Sequence, residues 1–190
     1  MAEHSDEEVA LQVQRGQTWL FSVLIGRYEA KMIRYAQRFL FGYDDVQDLV
    51  QEVFIKAYTN IKSFDATRKF SPWLYRIAHN EFINAIKKRG KEPVTFFDPD
   101  TLFPHPVYEG GEKDTLDDMQ VKKMLEISLD RLDPKYREPL VLYYYEEADY
   151  QAISDIMRIP ISTVGIRLKR GREALKKIVD EVNPHYEHDK

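Results

Sequence analysis

The side chains that could do chemistry in this sequence are cations and amides, not nucleophiles or metal ligands. The 190 residues contain no cysteine, which excludes disulfides, thiolate metal sites and cysteine nucleophiles. Histidines occur at 4, 79, 105, 185 and 188. The only close pair, His185 and His188, lies in a polar tail, where no rigid element sets ligand spacing. Adjacent acids, Asp44-Asp45 and Asp117-Asp118, are accounted for by helix capping and solvation. Neither a phosphate-cradling glycine loop nor a nucleophile–base constellation is present, so no cofactor is expected and an enzyme is a distant reading.

The cations, in contrast, are organised. The formal net charge is −4, but its distribution is uneven. Residues 62–91 carry Lys62, Arg68, Lys69, Arg76, Lys87, Lys88, Arg89 and Lys91 against Asp65 and Glu81, eight minus two for a net of +6. Residues 92–118 carry eight acids against Lys113, a net of −7. Residues 162–177 carry Arg167, Lys169, Arg170, Arg172, Lys176 and Lys177 against Glu173, a net of +5. Two basic blocks flanking an acidic one point to an anionic polymer as partner and to a spacer that resembles it.

Helices must position these blocks. Between Leu20 and Leu40 the apolar residues recur at helical spacing, and Gly42 suits a stop. Val46, Leu49, Val50, Val53, Phe54, Ala57, Tyr58 and Ile61 define a second helix, capped by Asp44 or Asp45. Ser71-Pro72 opens a third, with Leu74, Ile77, Ala78, Phe82, Ala85 and Ile86 as its buried stripe and Gly90 at its end. Residues 91–114 hold four prolines and a Gly110-Gly111 pair and read as a flexible acidic linker. Fully extended, residues 92–118 reach at most roughly 90 Å. Helical signals resume at Thr115, with Leu116, Met119, Leu125, Leu129 and Leu132 inward. Asp133-Pro134 restarts a helix in which Pro139 should remove one hydrogen bond and cause a bend.

The last elements form a helix-turn-helix pattern. Asp149 can cap a short helix with Tyr150, Ile153, Ile156 and Met157 facing inward. Arg158-Ile159-Pro160 breaks the chain, and Ser162 or Thr163 caps a second helix that runs to about Val179. There Val164, Leu168, Leu175 and Ile178 face the core and the cations take the other faces. In such a motif the second helix lies in the DNA major groove. A plain helical hairpin with a solvated basic face is the competing reading.

Asp48-Leu49-Val50-Gln51-Glu52-Val53-Phe54-Ile55-Lys56-Ala57-Tyr58 and Phe70-Ser71-Pro72-Trp73-Leu74-Tyr75-Arg76-Ile77-Ala78-His79-Asn80 resemble region 2 of extracytoplasmic-function (ECF) sigma factors. Leu132-Asp133-Pro134-Lys135-Tyr136-Arg137-Glu138-Pro139-Leu140-Val141-Leu142, with the helix-turn-helix after it, resembles their region 4. The resemblance spans about residues 5–180. It implies an all-α chain of two small helical domains: residues 1–90 as region 2, 91–114 as linker, 115–182 as region 4 and 183–190 as tail. It further implies a cytoplasmic transcription factor whose partners are core RNA polymerase, promoter DNA and an anti-sigma factor, without membrane insertion. Asp48, Gln51, Glu52 and Lys56 would dock on core polymerase. Ser63, Asp65, Lys69, Trp73, Arg76, Asn80, Asn84, Lys87 and Lys88 would hold the melted −10 element, because an asparagine amide both donates to and accepts from a base. Trp73 would either wedge the duplex open or sit in the core.

For the −35 element, Gly165, Ile166, Lys169 and Arg170 fall at base-facing positions and Ser162, Thr163, Arg167 and Arg172 at phosphate-facing ones. The sequence departs from the family here: polar or basic residues are usual where Gly165 and Ile166 stand, and glycine where Glu147 and Arg158 stand. Relaxed or unusual −35 selectivity is the consequence, resting on Lys169 and Arg170. A stand-alone helix-turn-helix regulator is the runner-up, distinguished by having no need for the region 2 surfaces.

Overall fold

The computed structural model describes residues 4–40, 45–89 and 116–182. Asp44, Gly42, Gly90, the linker at 91–114 and the tail at 183–190 therefore lie outside the described residues. Among those described, the chain is all helical: α1 (Asp6–Gln14), α2 (Phe21–Phe39), α3 (Val46–Thr59), α4 (Phe70–Arg89), α5 (Leu116–Arg131), α6 (Pro134–Tyr144), α7 (Tyr150–Met157) and α8 (Ile161–Val182), with short 3-10 turns at Thr18–Leu20 and Ile61–Ser63.

Helix α1 precedes the periodic stretch from Leu20 to Leu40 and is set by a reciprocal cap. The Ser5 hydroxyl accepts from the Glu8 amide at 3.2 Å, and Glu8 Oε2 accepts from the Ser5 amide at 2.9 Å. This S-x-x-E box satisfies two of the four free amides of a helix start. Two other α1 side chains reach α4 and the turn before it. Glu7 Oε1 accepts from the Phe70 amide at 2.9 Å, capping α4 one residue earlier than Ser71-Pro72 suggests. Gln14 Nε2 donates to the carbonyls of Ile61 and Phe64 at 2.7 Å each, fixing the turn before the 64–69 loop.

The periodic stripes of the first half form the core. Leu24, Tyr28, Met32, Tyr35, Ala36 and Phe39 of α2, Val50, Val53, Phe54 and Ala57 of α3, and Phe70, Leu74, Ala78 and Phe82 of α4 are buried together. Ile77 and Ile86 are half-buried rather than fully inside. Asp45 stands at the start of α3, but its side chain makes no capping bond.

In the second half, Asp133 accepts from the Lys135 amide at 2.9 Å to start α6, which carries Pro139 in its interior. Asp149 accepts from the Ala152 amide at 2.7 Å to start α7. Arg158 then adopts φ 53°, ψ 47°, and Glu147 adopts φ 52°. These left-handed positions are the two where the family usually has glycine, which carries no Cβ penalty there. α8 begins at Ile161, with the Pro160 carbonyl accepting from Thr163 and Val164. Ser162 and Thr163 thus lie inside the first turn and neither is the cap, because the helix starts directly after the proline. Gly171 is buried where α8 crosses α6: a Cβ there would meet Leu140 Cδ1 at 3.1 Å and the Tyr136 carbonyl at 3.3 Å. The core of α6, α7 and α8 is continuous with that of α2, α3 and α4.

Candidate nucleic-acid interface

Two surfaces collect the residues singled out by sequence. On α4, Trp73, Arg76, Asn80, Asn84, Lys87 and Lys88 follow steps of three and four along one side, so a single ridge holds them. Asn80, Asn84, Lys87 and Lys88 are exposed and Arg76 is half-buried. Trp73 is half-buried as well, packed at ring-centroid distances of 5.3 Å from Phe64 and 5.5 Å from Phe70. It is therefore both a core contact and a partly available aromatic face. Ser63, Asp65 and Lys69 stand exposed on the loop feeding α4. That loop is ordered by Asp65, whose Oδ1 accepts from the Thr67 amide at 3.0 Å and hydroxyl at 2.7 Å. These bonds hold the Asp65 carboxyl below its ordinary range. Gln14 braces the same loop from α1, a role no spacing rule flags.

On α3, the exposed face runs through Asp48, Gln51 and Glu52 and continues into Ile55 and Tyr58. Lys56 differs from the other three polymerase-docking candidates. Its ammonium pairs with Glu81 of α4 at 2.5 Å, so it also clamps α3 to α4.

The helix-turn-helix has the expected parts. Ile153, Ile156, Met157, Val164 and Leu168 are buried, and Lys169, Arg170 and Arg172 are exposed, with Ser162 and Ile166 on the outer side of the same helix. Thr163, Gly165 and Arg167 are half-buried. Tyr150 is not inward as its spacing suggests but 39% exposed. It is the first residue of α7, and its ring lies beside α8, with Cε2 3.7 Å from where a Gly165 Cβ would be. Tyr150 packs edge-on against Tyr143 at 5.6 Å, and Tyr143 against Tyr144 at 5.0 Å. The Tyr144 hydroxyl accepts from Arg172 Nη1 at 3.4 Å, which raises the guanidinium's proton affinity and orients it. An aromatic shelf thus flanks the first turns of α8, beside a glycine that contributes no side chain. Among the described residues no group of three or more His, Asp or Glu could hold a metal ion, and no helix is long and apolar enough to cross a membrane.

Residues 24–92 match the sigma-70 region 2 family and residues 123–175 the sigma-70 region 4 family. The ECF RNA polymerase sigma factor SigW of Bacillus subtilis is 36% identical over 174 residues, covering 87% of this chain and 92% of that protein. The chain belongs to the ECF sigma factors. It is a promoter-directing subunit of transcription initiation, and the region 2 match sets aside the stand-alone regulator. RNA polymerase sigma-H factor of Pseudomonas aeruginosa is 31% identical over 186 residues, covering 93% of this chain and 95% of that protein. Among solved structures, the sigma factor RpoE of Bartonella quintana, in complex with the anti-sigma factor NepR, superposes with a TM-score of 0.67 at 25% identity over 84% of this chain and 96% of that one. CnrH, solved with the cytosolic domain of CnrY, has a TM-score of 0.70 at 21% identity over 94% and 99% of the two chains and shares the fold.

Proposed function

We propose that this ECF sigma factor binds core RNA polymerase in the cytoplasm and divides promoter recognition between two modules, residues 1–90 and 115–182, joined by the acidic linker at 91–114. The first module captures the melted −10 strand with the α4 ridge and its preceding loop. Arg76, Lys87 and Lys88 follow the backbone, Lys69, Ser63 and Asp65 shape a base pocket, Asn80 and Asn84 read base edges, and Trp73 stacks at the edge of the opened duplex. The second module docks α8 in the −35 major groove, with Arg167, Arg172, Ser162 and Thr163 toward phosphates and Lys169 and Arg170 toward base edges. Asp48, Gln51, Glu52 and Lys56 meet the polymerase. An anti-sigma factor is the expected negative partner, as in the RpoE–NepR complex.

One observation carries this reading: a single chain bears two exposed cation-bearing surfaces of different chemistry, on α4 and on α8. The α4 ridge combines amides, an aromatic and cations, which suits unstacked bases. The α8 face combines cations with the exposed Ser162 and Ile166 beside a capped α7, which suits an intact duplex. A stand-alone duplex binder has no use for the first.

The test is transcription in vitro. The purified protein is added to sigma-free core polymerase on fragmented genomic DNA of the source organism, and transcript 5′ ends are mapped. Discrete starts that share two upstream elements are expected. No stimulation of a core that another sigma factor activates would refute the assignment.

A further inference from the structure

Half of the large apolar side chains exposed among the described residues, Tyr143, Tyr144, Tyr150, Ile161 and Ile166, gather about the start of α8. Single exposed apolar groups need no explanation, but a cluster on a cation-bearing helix marks a contact surface. Along the first turn and a half, Ile161, Ser162, Gly165 and Ile166 lie clear of the stripe buried through Val164 and Leu168. Of these four, Ser162 alone carries a polar side chain. Such turns are the ones that meet base edges when a recognition helix enters the major groove. With Ser162 turned to a phosphate, they cannot select a purine by side-chain hydrogen bonds.

At Gly165 the flank of the helix is notched. The position has no Cβ, so a ligand atom can approach the helix backbone itself. One wall is the Tyr150 ring, whose Cε2 stands 3.7 Å from where a Cβ would begin. Ile161 and Lys169, one turn before and one turn after, are the helical neighbours of Gly165. The wall is braced from behind. Asp149 accepts from the Ala152 amide and so fixes where Tyr150 starts α7. Tyr150 meets Tyr143 edge-on at 5.6 Å, Tyr143 meets Tyr144 at 5.0 Å, and the Tyr144 hydroxyl accepts from Arg172. Arg172 lies seven residues beyond Gly165, about two turns along the same side of α8. These contacts hold an aromatic edge beside a bare stretch of helix backbone.

The ligand that fits is small, apolar and presented on the surface of a duplex. In the major groove only thymine offers one, its 5-methyl group; the other bases present donors and acceptors there. The surrounding charge favours DNA over an apolar peptide, since Arg167, Lys169, Arg170 and Arg172 all follow within seven residues of the notch.

We propose that the first turns of α8 read thymine through its methyl group, seated in the Gly165 notch against the Tyr150 ring, with Ile166 meeting the methyl of a neighbouring step. The inference rests on the −35 role proposed for α8 and names what its first turns select there. Guanine is left to Lys169 and Arg170, which can donate to its O6 and N7. The −35 selectivity is then unusual rather than relaxed.

Deoxyuridine differs from thymidine by that methyl alone. The probe is a promoter mapped by the transcription assay, with each thymine of its −35 element, on either strand, replaced in turn by deoxyuridine. Holoenzyme assembled from the full-length chain and core polymerase is titrated on each duplex. One buried methyl corresponds to about a fourfold loss of affinity, expected at one or two thymines. The ratio should hold as salt rises, because a methyl contact releases no counterion. Gly165→Gln fills the notch with a good helix former, and the uracil effect at one of these thymines should vanish. Tyr150→Ala removes the wall and should weaken the same effect, whereas Tyr150→Phe keeps the ring and should retain it. Helicity by circular dichroism confirms that the variants are folded. If Gly165→Gln does not fold, the comparison of Tyr150→Ala with Tyr150→Phe decides. Wild-type holoenzyme that binds every uracil duplex as tightly as its thymine parent would overturn the notch, as would a −35 element without an A·T pair. A uracil effect that persists at every sensitive thymine in Gly165→Gln would overturn it equally. Failure of the underlying reading shows separately: absent transcription removes the sigma assignment, and cognate binding indifferent to Lys169→Ala with Arg170→Ala removes the −35 role of α8.

Discussion

Helix α8 contains two glycines six residues apart, and the same substitution at each should move stability in opposite directions. In an exposed helix interior, Gly→Ala is worth about 1 kcal/mol in favour of the helix. At Gly165 a Cβ meets only Tyr150 Cε2 at 3.7 Å, an ordinary contact. Gly165→Ala should therefore stabilise the protein by about 1 kcal/mol. At Gly171 the new methyl would lie 3.1 Å from Leu140 Cδ1, 3.3 Å from Leu140 Cγ and 3.3 Å from the Tyr136 carbonyl oxygen. The leucine can turn aside, but the carbonyl belongs to the α6 backbone and moves only if the helices separate. Overpacking of this kind costs about 1–3 kcal/mol, which cancels or exceeds the helical gain. Gly171→Ala should thus lie between about 0 and 2 kcal/mol destabilising, leaving the two variants roughly 1–3 kcal/mol apart. Equilibrium urea unfolding measures this as a shift of midpoint at constant slope. In thermal scans the difference corresponds to a few degrees, at roughly 2–4 °C per kcal/mol for a chain of this size. If Gly171→Ala stabilises as much as Gly165→Ala, the close α6–α8 approach is not what requires the glycine.

Other consequences come from single bonds. Asp149→Ala removes the cap on the Ala152 amide and should cost about 1 kcal/mol in urea unfolding. Arg158→Gly relieves a left-handed residue at φ 53°; with about 1–2 kcal/mol of relief against roughly 0.5–1 of added chain entropy, a gain of up to about 1.5 kcal/mol is expected in the same assay. Asn80→Ala combined with Asn84→Ala changes two exposed side chains, so stability should stay within about 0.5 kcal/mol. Permanganate reactivity of the opened −10 strand should nevertheless fall. Unchanged strand opening would remove these amides from the −10 assignment.

What the sequence made legible was mostly local. The 3.6-residue stripes of α2, α3 and α4, and the Asp133 and Asp149 caps, each depend on residues within a few positions of one another. The left-handed turns at Glu147 and Arg158 went unread, although both stand where related chains use glycine. Ser5-x-x-Glu8 was equally local and marks α1, but no apolar periodicity drew attention to it. The features beyond reach are long-range. Glu7 capping Phe70, Gln14 bracing the 64–69 loop and Glu138 joining Tyr35 to His79 link residues 47 to 103 positions apart, and no short window can register them. Tyr150 shows the converse failure. Its spacing suits the α7 stripe, yet as the first residue of that helix it projects past the core to the side of α8. Lys56 shows that a polar outer face can also be an internal tie, because its partner Glu81 is on another helix.

The proposed division of α8 into phosphate-facing and base-facing cations leads to a prediction that separates the two roles. Each phosphate neutralised contributes about −0.9 to the slope of log K against log salt, whatever the base sequence. Base-edge contacts contribute about 1–3 kcal/mol of discrimination each. Arg167→Ala with Arg172→Ala should therefore flatten the slope by about 1.8 and weaken cognate and scrambled −35 duplexes alike. Arg172 is also held by the Tyr144 hydroxyl, so Tyr144→Phe should reproduce part of that loss without removing a charge. Lys169→Ala with Arg170→Ala should instead reduce the cognate-to-scrambled ratio and the transcription that depends on it. The holoenzyme is the species to titrate, on duplexes that carry only the −35 element. With no side chain at Gly165 and an apolar one at Ile166, which is 51% exposed, few other groups on the first turns of α8 can donate to a base. The loss of discrimination should accordingly be near complete, with any residue of preference confined to thymine-containing steps that an Ile166 methyl can contact. A pair of arginine substitutions that alters sequence preference but leaves the salt slope intact would show that the helix lies in the groove with the opposite rotation about its axis.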